Sequence, residues 1–156
     1  MKIGAIADSH DNLPMIRKAV ELFNGRSDIS LVVHAGDIIA PFALRELLKL
    51  RVPLKAVFGN NDGERVGLRS MLPEICEPPL TLEIGGRSVR IAHSRDGAGE
   101  TDGLDVVVYG HDHKAGIQPG RPLKVNPGEC CGYLSGRATV AVIDLDRLAA
   151  EIIELT

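Results

Sequence analysis

The chain has 156 residues, 44% hydrophobic and 25% charged, with a net charge of −3 at neutral pH. That length predicts one domain, residues 1–156, able to bury a core without disulfides, and the charge balance argues against a basic nucleic-acid-binding surface or a stable nucleic-acid complex. Three Phe, two Tyr and no Trp leave an aliphatic core, and Cys76, Cys130 and Cys131 make no disulfide framework, which fits reduced thiols in a cytoplasmic protein.

Met1-Lys2-Ile3-Gly4 leads straight into a strand over Lys2 to Ala7, with no predicted signal peptide or membrane span. Asp11, Asn12 and Pro14 start a helix that carries Leu13, Ile16, Val20 and Phe23 on one face and stops at Asn24-Gly25. Leu31 to His34 is a second strand, Pro41 opens a helix with Leu44, Leu47 and Leu48, and Pro53 to Phe58 is a third strand. Strand, helix, strand, helix, strand with short connections predicts right-handed crossovers and a parallel sheet. A short helix over Glu64 to Met71 follows, then a hairpin of Leu80 to Ile84 and Arg87 to Ala92 joined by Gly85-Gly86. Ser94 to Gly103, with three glycines and no apolar period, reads as a mobile loop. Val106 to Tyr109, Leu123 to Val125, Ala138 to Asp144 and Ile152 to Leu155 are further strands. The predicted fold is α/β: a four-layer α-β-β-α sandwich of two mixed sheets flanked by helices.

Five polar clusters each follow an apolar run: Asp8-Ser9-His10, Gly36-Asp37, Gly59-Asn60-Asn61-Asp62, His93 and Gly110-His111-Asp112-His113. Four of the five histidines sit in them. Strand ends are where α/β proteins build their sites, and Asp, His and Asn side chains gathered there could hold two divalent cations side by side. An isolated Asp-x-His is ordinarily a helix cap and a surface histidine; in this company Asp8 and His10 read as metal ligands. Gly36 lets the backbone approach closely, and the two oxygens of Asp37 can bridge two ions. Asn60 offers a neutral oxygen suited to a hard cation. His111 and His113 are spaced to meet neighbouring metals, with Asp112 pointing away. His34, inside its strand, reads as a buried histidine bonded to its neighbours, and Asp62 as an acceptor supporting the ligands.

The ordered set D-x-H, G-D, G-N-x-D, H and G-H-x-H resembles the calcineurin-like metallophosphoesterase superfamily. Asp8 to Pro14, Gly59 to Arg65 and Asn126 to Tyr133 resemble its small YfcE/MJ0936-type phosphodiesterases, and the likeness runs nearly end to end. The resemblance implies a first metal on Asp8, His10, Asp37 and His113 and a second on Asp37, Asn60, His93 and His111. It makes Asp37, Asn60 and His93 the catalytic set. It implies manganese or nickel, with zinc, iron or magnesium as other candidates, and a small phosphodiester substrate. A homodimer or homotetramer is a further expectation.

Two departures stand out. Many members carry His after the metal-binding Asn, where this chain has Asn61, a neutral amide that cannot supply a proton at pH 7. Relatives often carry His-Gly-His and a helix after the position of His93, whereas here Ser94-Arg95 opens the glycine-rich loop. Substrate contacts made by that His-Gly-His segment are then either lost in this chain or supplied by Arg95. The expected reaction is attack on phosphorus by a hydroxide bridging two cations about 3.5–4 Å apart. Two divalent ions, less Asp8, Asp37 and the hydroxide, leave a single positive charge to attract a phosphodiester anion. The rival expectation is a non-catalytic scaffold of the same fold, like the retromer subunit.

Overall fold

The computed structural model describes residues 1–156. In chain order the elements are β1 (Lys2–Ile6), α1 (Leu13–Asn24), β2 (Ile29–His34), α2 (Pro41–Leu47), β3 (Leu54–Ala56), α3 (Arg65–Met71), β4 (Leu80–Ile84), β5 (Arg87–Ile91), a 3₁₀ turn (Asp96–Ala98), β6 (Val106–Val108), β7 (Gly116–Gln118), β8 (Leu123–Asn126), β9 (Thr139–Asp144) and β10 (Ala149–Glu154). They form two five-stranded mixed sheets, ordered β10-β9-β1-β2-β3 and β4-β5-β6-β8-β7. The pairs β1–β2, β2–β3, β5–β6 and β6–β8 are parallel, and the remaining pairs are antiparallel.

β1 is apolar on both sides because both of its faces are covered. Ile6 packs toward the helices with Ile16, Ala19, Phe23 and Leu44, while Ile3 and Ala5 pack toward the second sheet with Val89, Ile91, Val106 and Val108. Helix α1 is set by its apolar spacing, by Asn12, whose side chain accepts from the Met15 N–H, and by Pro14 in its first turn. Its close seat on β1 requires Gly4: a Cβ there would meet the Phe23 ring at 2.6 Å. The hairpin turn takes φ of 57° at Gly85 and 75° at Gly86, the left-handed pair that matches strand twist.

The fold is the expected sandwich, with a thin outer layer on the second sheet. Ala92, Val107 and Tyr109 on that face are covered by Ala98 and Leu104 from the 94–104 segment. This segment is more anchored than its glycines predict: Arg90 Nη1 donates to the carbonyls of Ala98 (2.9 Å) and Glu100 (2.5 Å). Two other details differ from the sequence reading. β3 is only three residues long, and beyond it Val57 keeps its N–H bond to the His34 carbonyl and makes an isolated bridge to Cys76. β7 has no counterpart among the predicted strands, since its three residues are all exposed and carry no core-facing pattern; its ladder partner is β8, on which it is an edge strand.

Candidate metal centre

The parallel strands β1, β2, β3, β5 and β6 deliver their following loops to one end of the molecule. All seven predicted ligands, Asp8, His10, Asp37, Asn60, His93, His111 and His113, meet there. Asp37 Oδ2 stands at the middle, 3.4 Å from His10 Nε2 and 3.5 Å from His93 Nε2. On one side His10 Nε2 lies 3.9 Å, and His113 Nε2 3.7 Å, from Asp8 Oδ1. On the other side His93 Nε2 lies 2.7 Å from Asn60 Oδ1, while His111 Nδ1 lies 3.0 Å from Asn60 Oδ1 and 3.3 Å from His93 Nε2. Ligands about 2.1 Å from one cation stand roughly 3–3.4 Å apart in octahedral or tetrahedral geometry. Both groups fall near that spacing, with the first slightly wider.

Three glycines make this approach possible. A Cβ at Gly36 would meet His93 Nδ1 at 2.6 Å, one at Gly110 would meet Asp8 Oδ2 at 2.6 Å, and one at Gly59 would collide with Asp37. Five of the candidate ligands, Asp8, His10, Asp37, His111 and His113, also hold positive φ, between 39° and 76°. Asp and His tolerate this region better than most residues, yet each such residue costs roughly 1 kcal/mol or more. The backbone is bent to aim side chains inward, and the surrounding hydrogen bonds hold it so.

The supporting shell explains the aim of each donor. Asp62, 3% exposed, accepts from Asp37 N (2.9 Å), Gly59 N (2.7 Å) and Ile39 N (2.7 Å), tying the second ligand loop to the third. His93 Nδ1–H donates to the Ala35 carbonyl (2.8 Å), turning the Nε2 face inward. His113 Nδ1–H donates to Glu129 Oε2 (2.7 Å), with the same consequence. His111 N–H donates to Asp8 Oδ2 (2.9 Å), leaving Asp8 Oδ1 for the cluster. His34 lies beneath the site: its Nδ1 accepts from Gly36 N, and its Nε2–H donates to Ser9 Oγ (2.9 Å). Burial drives its pKa down to about 3, so it stays neutral.

Electrostatics mark the centre as short of positive charge. Buried Asp8 Oδ1 and His10 Nε2 have no hydrogen-bond partner. Burial pushes the Asp8 carboxyl up to about 6 and lowers the pKa of His10. Burial acts against the charged form of Asp37 too, but hydrogen bonds from His93 and Asn61 outweigh it and keep this carboxyl well below the usual range. Orphaned acceptors, inward-facing imidazole nitrogens and two buried carboxylates are the donor set that a pair of divalent cations satisfies.

Other sequence readings resolve as follows. Asp112 turns away, accepting from Lys114 N (3.0 Å) and Asn126 Nδ2 (2.6 Å). Arg95 donates to Gln118 Oε1 (2.8 Å) on β7. Asn61 is bound to Asp37 at both ends: its backbone N–H donates to Oδ1 (2.9 Å) and its amide to Oδ2 (2.8 Å). Cys130 and Cys131 are buried free thiols whose pKa values burial raises, that of Cys131 to about 12. Glu129 escapes sequence reasoning. A lone carboxylate in a Pro-Gly turn has no periodic signature, and only the fold places it behind His113.

Donors of this kind at the strand ends of two facing sheets mark a metallophosphoesterase-type fold. The chain belongs to the calcineurin-like phosphoesterase superfamily, whose domain model matches residues 1–148. It is 38% identical over 158 residues to the phosphodiesterase MJ0936 of Methanocaldococcus jannaschii, an alignment covering 94% of this chain and 95% of that protein. A probable metallophosphoesterase of Methanothermobacter thermautotrophicus is 33% identical, covering 98% of this chain and 92% of the relative. The solved structure of an archaeal phosphodiesterase matches with a TM-score of 0.90 at 37% identity, over 99% of this chain and 100% of that one. Vps29 of Entamoeba histolytica complexed with zinc shares the fold at a TM-score of 0.71 and 17% identity, each chain covered over its whole length.

Proposed function

We propose that this protein hydrolyses small phosphodiesters with two divalent cations, manganese or nickel foremost. Asp8, His10, Asp37 and His113 would hold one, and Asp37, Asn60, His93 and His111 the other. The observation that carries the reading is the position of Asp37 Oδ2, within 3.5 Å of donor nitrogens from both groups. The likeness to MJ0936, named a phosphodiesterase, supports the diester as substrate class. Bound side by side, the cations would supply the charge that activates a shared water for attack on phosphorus and neutralises the phosphoryl oxygens.

The chain's own residues do the positioning. Asp62 holds the Asp37 backbone N–H and Asn61 holds its carboxylate between the two groups. The Ala35 carbonyl and Glu129 hold the protons of His93 and His113 on Nδ1, so that both rings present lone pairs to the site. Asn61 can donate a hydrogen bond but no proton at neutral pH. The chain is therefore suited to diesters whose leaving groups depart without a strong acid. No helix is long and apolar enough to cross a membrane, and a cytoplasmic diester is the substrate this reading expects.

The test is removal of metal by a chelator, single restoration of manganese, nickel, magnesium or zinc, and comparison of a chromogenic phosphodiester with its monoester. Metal-restored turnover favouring the diester is the expected result. Absence of turnover with every metal, at two bound ions per chain, would leave the scaffold reading in its place.

A further inference from the structure

We infer that Glu129 is a positioning residue that makes the Asp8–His10–Asp37–His113 position the tighter of the two, so that it fills first. The inference rests on the two-cation reading above. Glu129 is fully buried, and six bonds converge on its carboxylate. Oε1 accepts from Ser135 Oγ (2.6 Å), Ser135 N (2.5 Å) and Leu134 N (3.0 Å). Oε2 accepts from His113 Nδ1–H (2.7 Å), Leu134 N (3.2 Å) and the Cys131 thiol (3.4 Å). A carboxylate so surrounded stays ionised without a cation partner. Its negative charge sits directly behind the imidazole, where it fixes the tautomer, orients the ring and makes Nε2 a stronger donor.

No carboxylate stands behind an imidazole at the other position, where the buried Asp62 bonds backbone N–H groups and not a ligand side chain. His93 is backed by a neutral carbonyl, and Asn60 brings no charge. His111 is exposed, and its ring bonds only to Asn60 and His93. Asp37 is common to both positions, so the difference is Asp8 in front and Glu129 behind, both on the first side. Burial sharpens it: Asp8 is 0% exposed and its Oδ1 is unpartnered. A cation there recovers more electrostatic energy than one at the position where Asp37 is the sole carboxylate and Asn60 and His111 are exposed.

Calorimetric titration of metal-stripped protein with manganese tests this. The wild type should bind two ions in two resolved steps, and His111→Ala should lose the weaker one. Glu129→Gln, which keeps the shape and removes the charge, should weaken the tighter step about 10–100-fold and leave the weaker within about twofold. Ser135→Ala should weaken the same step by less, which covers the case of a poorly folded Glu129→Gln protein. Cys131→Ser should keep both steps; loss of one would put an ion on His113, Glu129 and Cys131 and overturn the inference. Unchanged constants in Glu129→Gln, or loss of the tighter step in His111→Ala, would also overturn it while sparing the two-cation reading. Failure of the wild type to bind two ions would remove that reading itself.

Discussion

The two halves of the candidate metal centre use opposite means. The first, around Asp8, His10 and His113, sets a fully buried carboxylate between two half-buried rings, carries charge in front of and behind them, and leaves Asp8 Oδ1 and His10 Nε2 unpaired. The second, around Asn60, His93 and His111, sets one buried ring, that of His93, beside exposed Asn60 and His111, and is built of amide and imidazole donors that crowd one another at 2.7–3.3 Å. The first half shows how a fold concentrates charge by withdrawing carboxylates from water. The second shows how neutral donors are held together by geometry alone, here by Asp62, the Ala35 carbonyl and the glycine turns.

The comparison can be broken most completely at the residue the halves share. Asp37→Ala should remove both binding steps and take diester turnover to background, measured with metal content verified; substantial turnover with two bound ions would disprove the shared oxygen. Asp62→Ala should loosen the joint between the loops that carry Asp37 and Asn60. Its three N–H donors lose their acceptor, two of them buried, at about 1–3 kcal/mol each. With about 2–4 °C of melting temperature per kcal/mol, calorimetry of the metal-free protein should show a fall of about 6 °C or more. A fall under about 2 °C would show that the joint does not need this carboxylate.

Asn60→Asp sharpens the comparison by giving the second half a charge. The weaker manganese step should tighten about tenfold, equivalent to about 1.4 kcal/mol, and the gap between the steps should narrow; an unchanged gap would mean that charge is not what separates them. The smallest effect is expected from Asn61→His, which offers a titratable group near the shared oxygen. Monoester turnover should rise several-fold relative to diester turnover. The structure adds a cost, because the Asn61 amide bond to Asp37 Oδ2 is lost, so total activity should fall even as the ratio moves. A constant ratio would separate this position from substrate preference.

Much of this is legible in the residue order. Apolar runs ending in Asp, His or Asn mark the strands, their parallel direction and the candidate ligands at their ends. The helix over Leu13–Asn24 is visible in its spacing and cap. Less legible is whatever depends on one segment meeting another far along the chain. β7 carries no buried face of its own, and the 94–104 segment looks loose until Arg90 reaches across to its carbonyls. Asn61 reads as a turn residue or a missing acid, and only the folded chain shows it holding Asp37.

By itself the sequence determined the α/β alternation, the aliphatic core and the seven donor side chains, because hydrophobic periodicity and residue chemistry are local properties. The tertiary structure decided which donors share an oxygen, which are sealed from water and which stand behind the others. Asp8 receives the backbone N–H of His111 from 103 residues away, and His113 meets a carboxylate with no periodic mark of its own. Such pairings depend on burial and distance in three dimensions, which no one-dimensional spacing encodes.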